Sequence, residues 1–142
     1  MFQGASKLTL DDKKRLSIPT RHREALAALC EGRLTLTRHP DGCVLIYPRP
    51  EWEKKRAALA AMSGRARVLP RIMLGSAMDV EIDGTGRILI SPELRAAAGI
   101  ERDVMLLGMG ERFELWEPQR LEAFEREHLA QGLPDAAADF VF

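Results

Sequence analysis

Residues 8–19 read LTLDDKKRLSIP, and residues 80–92 read VEIDGTGRILISP. In each, an alternating apolar run meets Asp, three turn-like residues, Arg, a second alternating run and Pro. The shared frame is Asp-x-x-x-Arg, with Asp11 over Asp83 and Arg15 over Arg87. A single insertion, Ser91, then brings Pro19 onto Pro92. A helical stretch follows each Pro, and after it come two strand-like runs, LTLTRHPDGCVLIYP (34–48) and VMLLGMGERFELWEP (104–118). Two copies are too few for a solenoid. They predict an α+β, β-rich chain with a pseudo-twofold, in which one copy completes the other.

Within the first copy, Lys7–Leu10 and Arg15–Ile18 alternate polar and apolar, so they read as two strands of one hairpin with Asp11–Lys14 at its tip. Met1–Ser6 reads as a short lead-in. A tip of this length prefers Gly where the backbone turns left-handed, and the second copy supplies Gly84 and Gly86. The first copy has Lys14 instead. Either Lys14 takes a positive φ at roughly 1–2 kcal/mol, which implies a use for its ammonium, or the turn type differs.

Pro19 opens a helix whose apolar stripe is Ala25, Leu26, Leu29 and Cys30, ended by Glu31-Gly32; Ser91 caps the counterpart, with Pro92 just inside, Leu94, Ala97 and Ala98 as its stripe and Gly99 at its end. Arg33–Thr37 and Cys43–Tyr47 form a hairpin through His39-Pro40-Asp41-Gly42, and Val104–Met109 pairs with Phe113–Trp116 through Gly110-Glu111-Arg112. Pro48 and Pro118 close these strands. Trp52, Leu59 and Met62 then mark one amphipathic helix, and Leu121, Phe124 and Leu129 mark another. Pro70 starts or kinks a helix in the Arg-rich stretch 64–75. Residues 132–142 read as a loosely held tail with exposed Phe140 and Phe142.

The 142 residues suit one domain by length, and 46% hydrophobic content can close a core. No apolar run approaches the roughly 18 residues of a membrane helix, and the N-terminus lacks a basic region followed by an apolar block. The expectation is a cytoplasmic protein without a membrane partner. Cys30 and Cys43, the only cysteines, have no Cys-x-x-Cys spacing and read as reduced thiols, although Cys43, four residues after His39, leaves a thiol site open. The net charge of zero conceals a division: residues 1–75 carry 15 Lys or Arg against 7 Asp or Glu, and residues 76–142 carry 6 against 14. That asymmetry fits a polyanion partner for the basic half, head-to-tail self-association, or solvated surface charge that drifted apart.

No catalytic constellation emerges. His22, His39 and His128 are scattered, with no His-x-x-x-His spacing and no Gly-x-Ser-x-Gly elbow. Gly84-Thr85-Gly86 opens like a dinucleotide fingerprint, but Leu89 stands where the third Gly belongs. Nothing predicts an enzyme, a metal or a cofactor. What remains is basic: Lys7, Lys13, Lys14, Arg15, Arg21 and Arg23 crowd into 17 residues. A two-stranded ribbon fits the major groove of double-stranded DNA, where Arg15 would grip a base edge and Lys13 or Lys14 the backbone phosphates. The competing reading makes Asp11–Arg15 a structural ion pair across the turn.

The opening MFQGASKLTLDDKKRLSIPTRHRE, the segment LGSAMDVEIDGTGRILISPELR and VMLLGMGERFELWEP resemble the MraZ family of bacterial transcriptional regulators, which has tandem AbrB-like (SpoVT-AbrB) domains. The resemblance covers about residues 1–130 and departs at Lys14, where the family usually has Gly, and at Pro70. It implies two swapped-hairpin repeats packed as a double half-barrel, at residues 5–51 and 77–120, joined by a helical linker at 52–76 and followed by a C-terminal helix and tail at 121–142. It further implies a nucleoid-associated, ring-shaped homo-oligomer that binds repeated promoter boxes and represses its own division and cell-wall operon. The DNA-facing residues it implies are Asp11, Lys13 and Arg15, with Asp83 and Arg87 in the second copy. An antitoxin-type protein-interaction module, using the Phe140-Val141-Phe142 end, is the alternative.

Overall fold

A computed structural model describes residues 1–142. Its strands are β1 (Phe2–Thr9), β2 (Arg15–Ser17), β3 (Arg33–Arg38), β4 (Val44–Pro48), β5 (Met78–Glu81), β6 (Arg87–Leu89), β7 (Asp103–Gly110) and β8 (Phe113–Trp116). Six of them form one antiparallel sheet in the order β1-β7-β8-β4-β3-β5, and β2 and β6 pair separately. With six α-helices the fold is mixed α+β.

The hairpins β3–β4 and β7–β8 form as the Pro-Asp-Gly and Gly-Glu-Arg turns predict. The hairpin expected from Lys7–Leu10 and Arg15–Ile18 does not. β1 instead lies along β7 from Phe2↔Gly110 to Thr9↔Asp103, so the expected lead-in is half of a strand. A full-length ladder satisfies more backbone groups than a short local pairing, and it buries Phe2. Between the backbones, the tip itself is closed by Asp11 N–H donating to Arg15 O and Lys14 N–H donating to Asp11 O. Likewise β5 pairs with β3 rather than β6. Each half thus gives its first strand to the other half.

Between them, β2 and β6 pair in the register Arg15↔Leu89, Leu16↔Ile88 and Ser17↔Arg87, symmetric about the buried Leu16–Ile88 pair. The same correspondence runs on into the helices, so Ser91 is no insertion. Pro19 caps α1 (Thr20–Cys30) as Ser91 caps α4 (Pro92–Ala98), and Arg23 Nε donates to Ile18 O as Arg95 Nε donates to Ile90 O. The two prolines occupy neighbouring places, cap and first turn, each compatible with a fixed φ.

Strand alternation divides the apolar residues between the two faces of the sheet. Leu34, Leu36, Val44, Ile46, Val104, Leu106, Phe113 and Leu115 join the β2–β6 pair, Leu26 and Leu94 in the main core. Leu45, Tyr47 and Trp116 face the other way, against Trp52 and Leu59 of α2 (Arg49–Ala60) and Met73 of α3 (Val68–Met73). Pro70 sits in the first turn of α3, where its missing N–H leaves no helical bond unmade.

Two stripes differ from expectation. α1 buries His22, Leu26 and Cys30, while Ala25 and Leu29 are exposed. The helix is rotated because His22 fits edge-on between the Phe2 and Phe113 rings, at centroid distances of 5.7 and 4.9 Å. In α5 (Pro118–Ala130), Leu121 and Phe124 pack on the second cluster, but Leu129 is 66% exposed. Every residue from 125 to 142 is exposed, including the short α6 (Asp135–Ala138).

Candidate nucleic-acid interface

Because β2 pairs with β6, the two Asp-x-x-x-Arg turns lie side by side. In the first, Asp11 Oδ1 accepts from the backbone N–H groups of Lys13 (3.0 Å) and Arg15 (2.9 Å), and Oδ2 accepts from Arg15 Nε (2.8 Å). In the second, Asp83 Oδ1 accepts from Thr85 N, Thr85 Oγ1 and Arg87 N, each at 2.9 Å. Asp is suited to this because one carboxylate oxygen can collect several donors around a tight turn. The backbone N–H of Arg15, the main cause, and the Arg15 guanidinium hold the Asp11 carboxyl below the usual carboxylate range. Asp83 falls further, to about 2, through the N–H of Arg87 and the two donors of Thr85.

The arginines of the two copies differ. Arg15 spends only its Nε on Asp11, so both Nη groups have no protein partner, and its side chain is 26% exposed. Arg87 Nε stands 3.4 Å from Asp83 Oδ2 and makes no hydrogen bond, while its Nη1 lies 3.8 Å from Asp11 Oδ2. Asp11 is therefore shared between both arginines. Both readings of the Asp–Arg pair meet in Arg15: the ion pair exists, and it orients a guanidinium whose outer edge is open.

Lys14 takes φ 64°, the strained alternative for the tip, and its ammonium donates to Glu101 O at 2.9 Å. Its use is thus at least partly local. Of the two expected turn glycines only Gly86 has positive φ, 82°; a Cβ at Gly84 would meet open space. At Gly86 the space is taken by Arg23, with Nη1 2.8 Å from where a Cβ would stand. Arg23 thereby bridges the copies, its Nε donating to Ile18 O at 2.6 Å.

Lys13 is exposed at the tip, with no hydrogen bond or ion pair from its ammonium. Lys7 and Arg21 stand outside the two turns, on β1 and α1. Lys7 is exposed on β1, and Arg21 is tied to Ser6 Oγ and His22 Nε2. Arg102 went unnoticed in the sequence: exposed, it is placed beside the tip by Leu10 N–H donating to its carbonyl. The thiol site left open at Cys43 does not form, since the side chain is buried and burial raises its pKa strongly. No three His, Cys, Asp or Glu side chains converge as a metal site would need, and no helix is long and apolar enough to cross a membrane.

A family model described as "MraZ protein, putative antitoxin-like" matches residues 1–68 and 73–141. The chain belongs to the MraZ family. Among the family's members, the transcriptional regulator MraZ of Bordetella pertussis is 65% identical over 142 residues, covering all of both chains. Those of Burkholderia cenocepacia and Burkholderia lata are each 60% identical over the same full length.

Proposed function

We propose that the protein is a sequence-specific, double-stranded-DNA-binding transcriptional regulator rather than an enzyme, as its relatives' names suggest. The observation that carries the reading is the pairing of the two Asp-x-x-x-Arg turns, with the Nη edge of Arg15 open and Lys13 unpaired. Arg15 reads guanine O6 and N7 in the major groove, held in aim by Asp11, while Lys13 neutralises phosphate. Lys14, Lys7, Arg21, Arg23 and Arg102 add positive potential around the tips, and Arg87 contributes less because its head leans on both aspartates.

In this reading, residues 5–51 and 77–120 are AbrB-like repeats whose exchanged strands make a swapped-hairpin double half-barrel. The helical linker spans 52–76, and 121–142 forms the C-terminal helix and tail. Subunits assemble as a ring in the nucleoid and bind repeated boxes of the protein's own promoter, repressing a division and cell-wall operon. Repetition raises effective concentration once one tip is bound, so weak contacts sum if the spacing matches. The exposed C-terminal aromatics favour, as a second reading, an antitoxin-type interaction module.

The test is fluorescence anisotropy of the purified protein on its own upstream DNA and on a scrambled duplex, at 50 and 200 mM salt. The regulator prefers the upstream DNA and weakens with salt, the slope of log K steepening by about 0.9 per phosphate neutralised. Equal binding to both duplexes moves the interaction module ahead.

A further inference from the structure

The outer face of the β2–β6 ribbon carries one apolar side chain that the fold does not use. Leu16 and Ile88 point inward and are buried, so strand alternation sends Arg15, Ser17, Arg87 and Leu89 outward. Leu89 is 51% exposed and belongs to neither apolar cluster. A lone exposed leucine needs no explanation by itself, but the place of this one does. It stands directly opposite Arg15. The ladder bonds fall on either side, with Ile90 N–H donating to Lys14 O and Ile18 N–H donating to Gly86 O. Arg15 and Leu89 are therefore a pair without hydrogen bonds between their backbones, the kind whose side chains stand closest. The pseudo-twofold twin of Leu89 is Ser17, opposite Arg87. The apolar group thus accompanies the arginine whose Nη groups have no protein partner, whereas Arg87 Nη1 leans on Asp11.

We propose that Leu89 is a specificity-determining residue that packs on the 5-methyl group of a thymine next to the guanine gripped by Arg15. The inference rests on the DNA-binding reading above and deepens it. In the major groove, thymine alone among the four bases presents a methyl group, and apolar side chains contact it. The G·C pair under Arg15 has none. Directly opposed Cβ atoms stand about 4.5–5.5 Å apart and successive base pairs about 3.4 Å, so a leucine beside Arg15 reaches the neighbouring pair. Cytosine at that place presents an amino donor, which Leu89 strips of water and cannot accept from. One side chain then attracts the right base and penalises the wrong one.

The experiment uses the full chain and anisotropy at one salt concentration, with the upstream duplex made once with thymidine and once with deoxyuridine throughout. The exchange deletes the 5-methyl groups and leaves every base-pairing and hydrogen-bonding edge in place. Wild type weakens about four-fold or more on the deoxyuridine duplex, the worth of one methyl-sized apolar group removed from water. Leu89→Ala and Leu89→Ser, checked for folding by circular dichroism, bind the thymidine duplex more weakly than wild type does and bind the two duplexes alike. Equal affinity of wild type for the two duplexes overturns the contact. So does an undiminished ratio in the Leu89 variants, which assigns the methyl dependence to another side chain or to DNA stiffness. In either case a retained preference of wild type for the upstream duplex over a scrambled one leaves the regulator reading standing. Absence of that preference overturns both.

Discussion

Replacing Gly86 with Ala tests how the two copies lock together. The residue sits at φ 82°, where an L side chain costs about 1–2 kcal/mol. The new methyl would also enter the space of the Arg23 guanidinium, so Arg23 must leave and forfeit its bond to Ile18 O. A hydrogen bond from a charged donor contributes about 1.5–3 kcal/mol. Allowing about 0.4–1 kcal/mol back for the stiffer unfolded chain, Gly86→Ala destabilises by roughly 2–4 kcal/mol, on the order of 10 °C in Tm. Arg23→Ala alone removes only the bond. In that background the clash is gone, and Gly86→Ala costs only about 1 kcal/mol more, so the cycle is non-additive by roughly 1.5–3 kcal/mol. Urea and thermal unfolding of the four proteins at one fixed protein concentration measure this. Additive losses would refute the contact between Arg23 and the second tip.

Lys14→Gly changes stability by less than about 1 kcal/mol in the same unfolding assay, because relief of left-handed strain offsets loss of the Glu101 bond and a more flexible unfolded chain. The Asp83 carboxyl, followed by carbon-detected NMR, titrates at about 2, and that of Asp11 below its ordinary 3.8. Both values are depressed on folding, so their stabilisation is fully present above about pH 4 and is lost as pH falls toward 2; a midpoint for Asp83 at or above 3.8 contradicts the turn geometry. Cys30 and Cys43 are buried with raised pKa values, so a thiol reagent labels neither in the native protein and both in urea. Rapid native labelling of Cys43 would refute that burial.

Much of the fold could be read from sequence because its signals are local. The turns at His39–Gly42 and Gly110–Arg112, the Ser91 cap and the stops at Gly32 and Gly99 each follow from nearby residues. Strand partners do not: alternation says which face a residue takes, not which strand lies beside it, so β1 and β2 looked like a hairpin although their ladders run to β7 and β6. Pro19 and Pro92 drew the alignment off by one because Pro serves equally as cap and as first helical residue. His22 was passed over for the core because a polar letter does not announce an aromatic cage. At the site, the Asp-x-x-x-Arg frame was visible, but the adjacency of the two frames, the place of Arg102 and the occupation of the Gly86 space by Arg23 arise from pairing across some 70 residues.

The measurement that bears most directly on the paired turns is anisotropy binding to the upstream DNA by Arg15→Ala and Arg87→Ala beside wild type, with circular dichroism and oligomer mass checked. A guanidinium reading a base edge is worth about 1–3 kcal/mol, so a folded Arg15→Ala weakens specific binding by roughly 5- to 150-fold and loses preference over scrambled DNA, and Arg87→Ala loses less. Undiminished preference in Arg15→Ala, or equal losses in the two variants, would contradict the account.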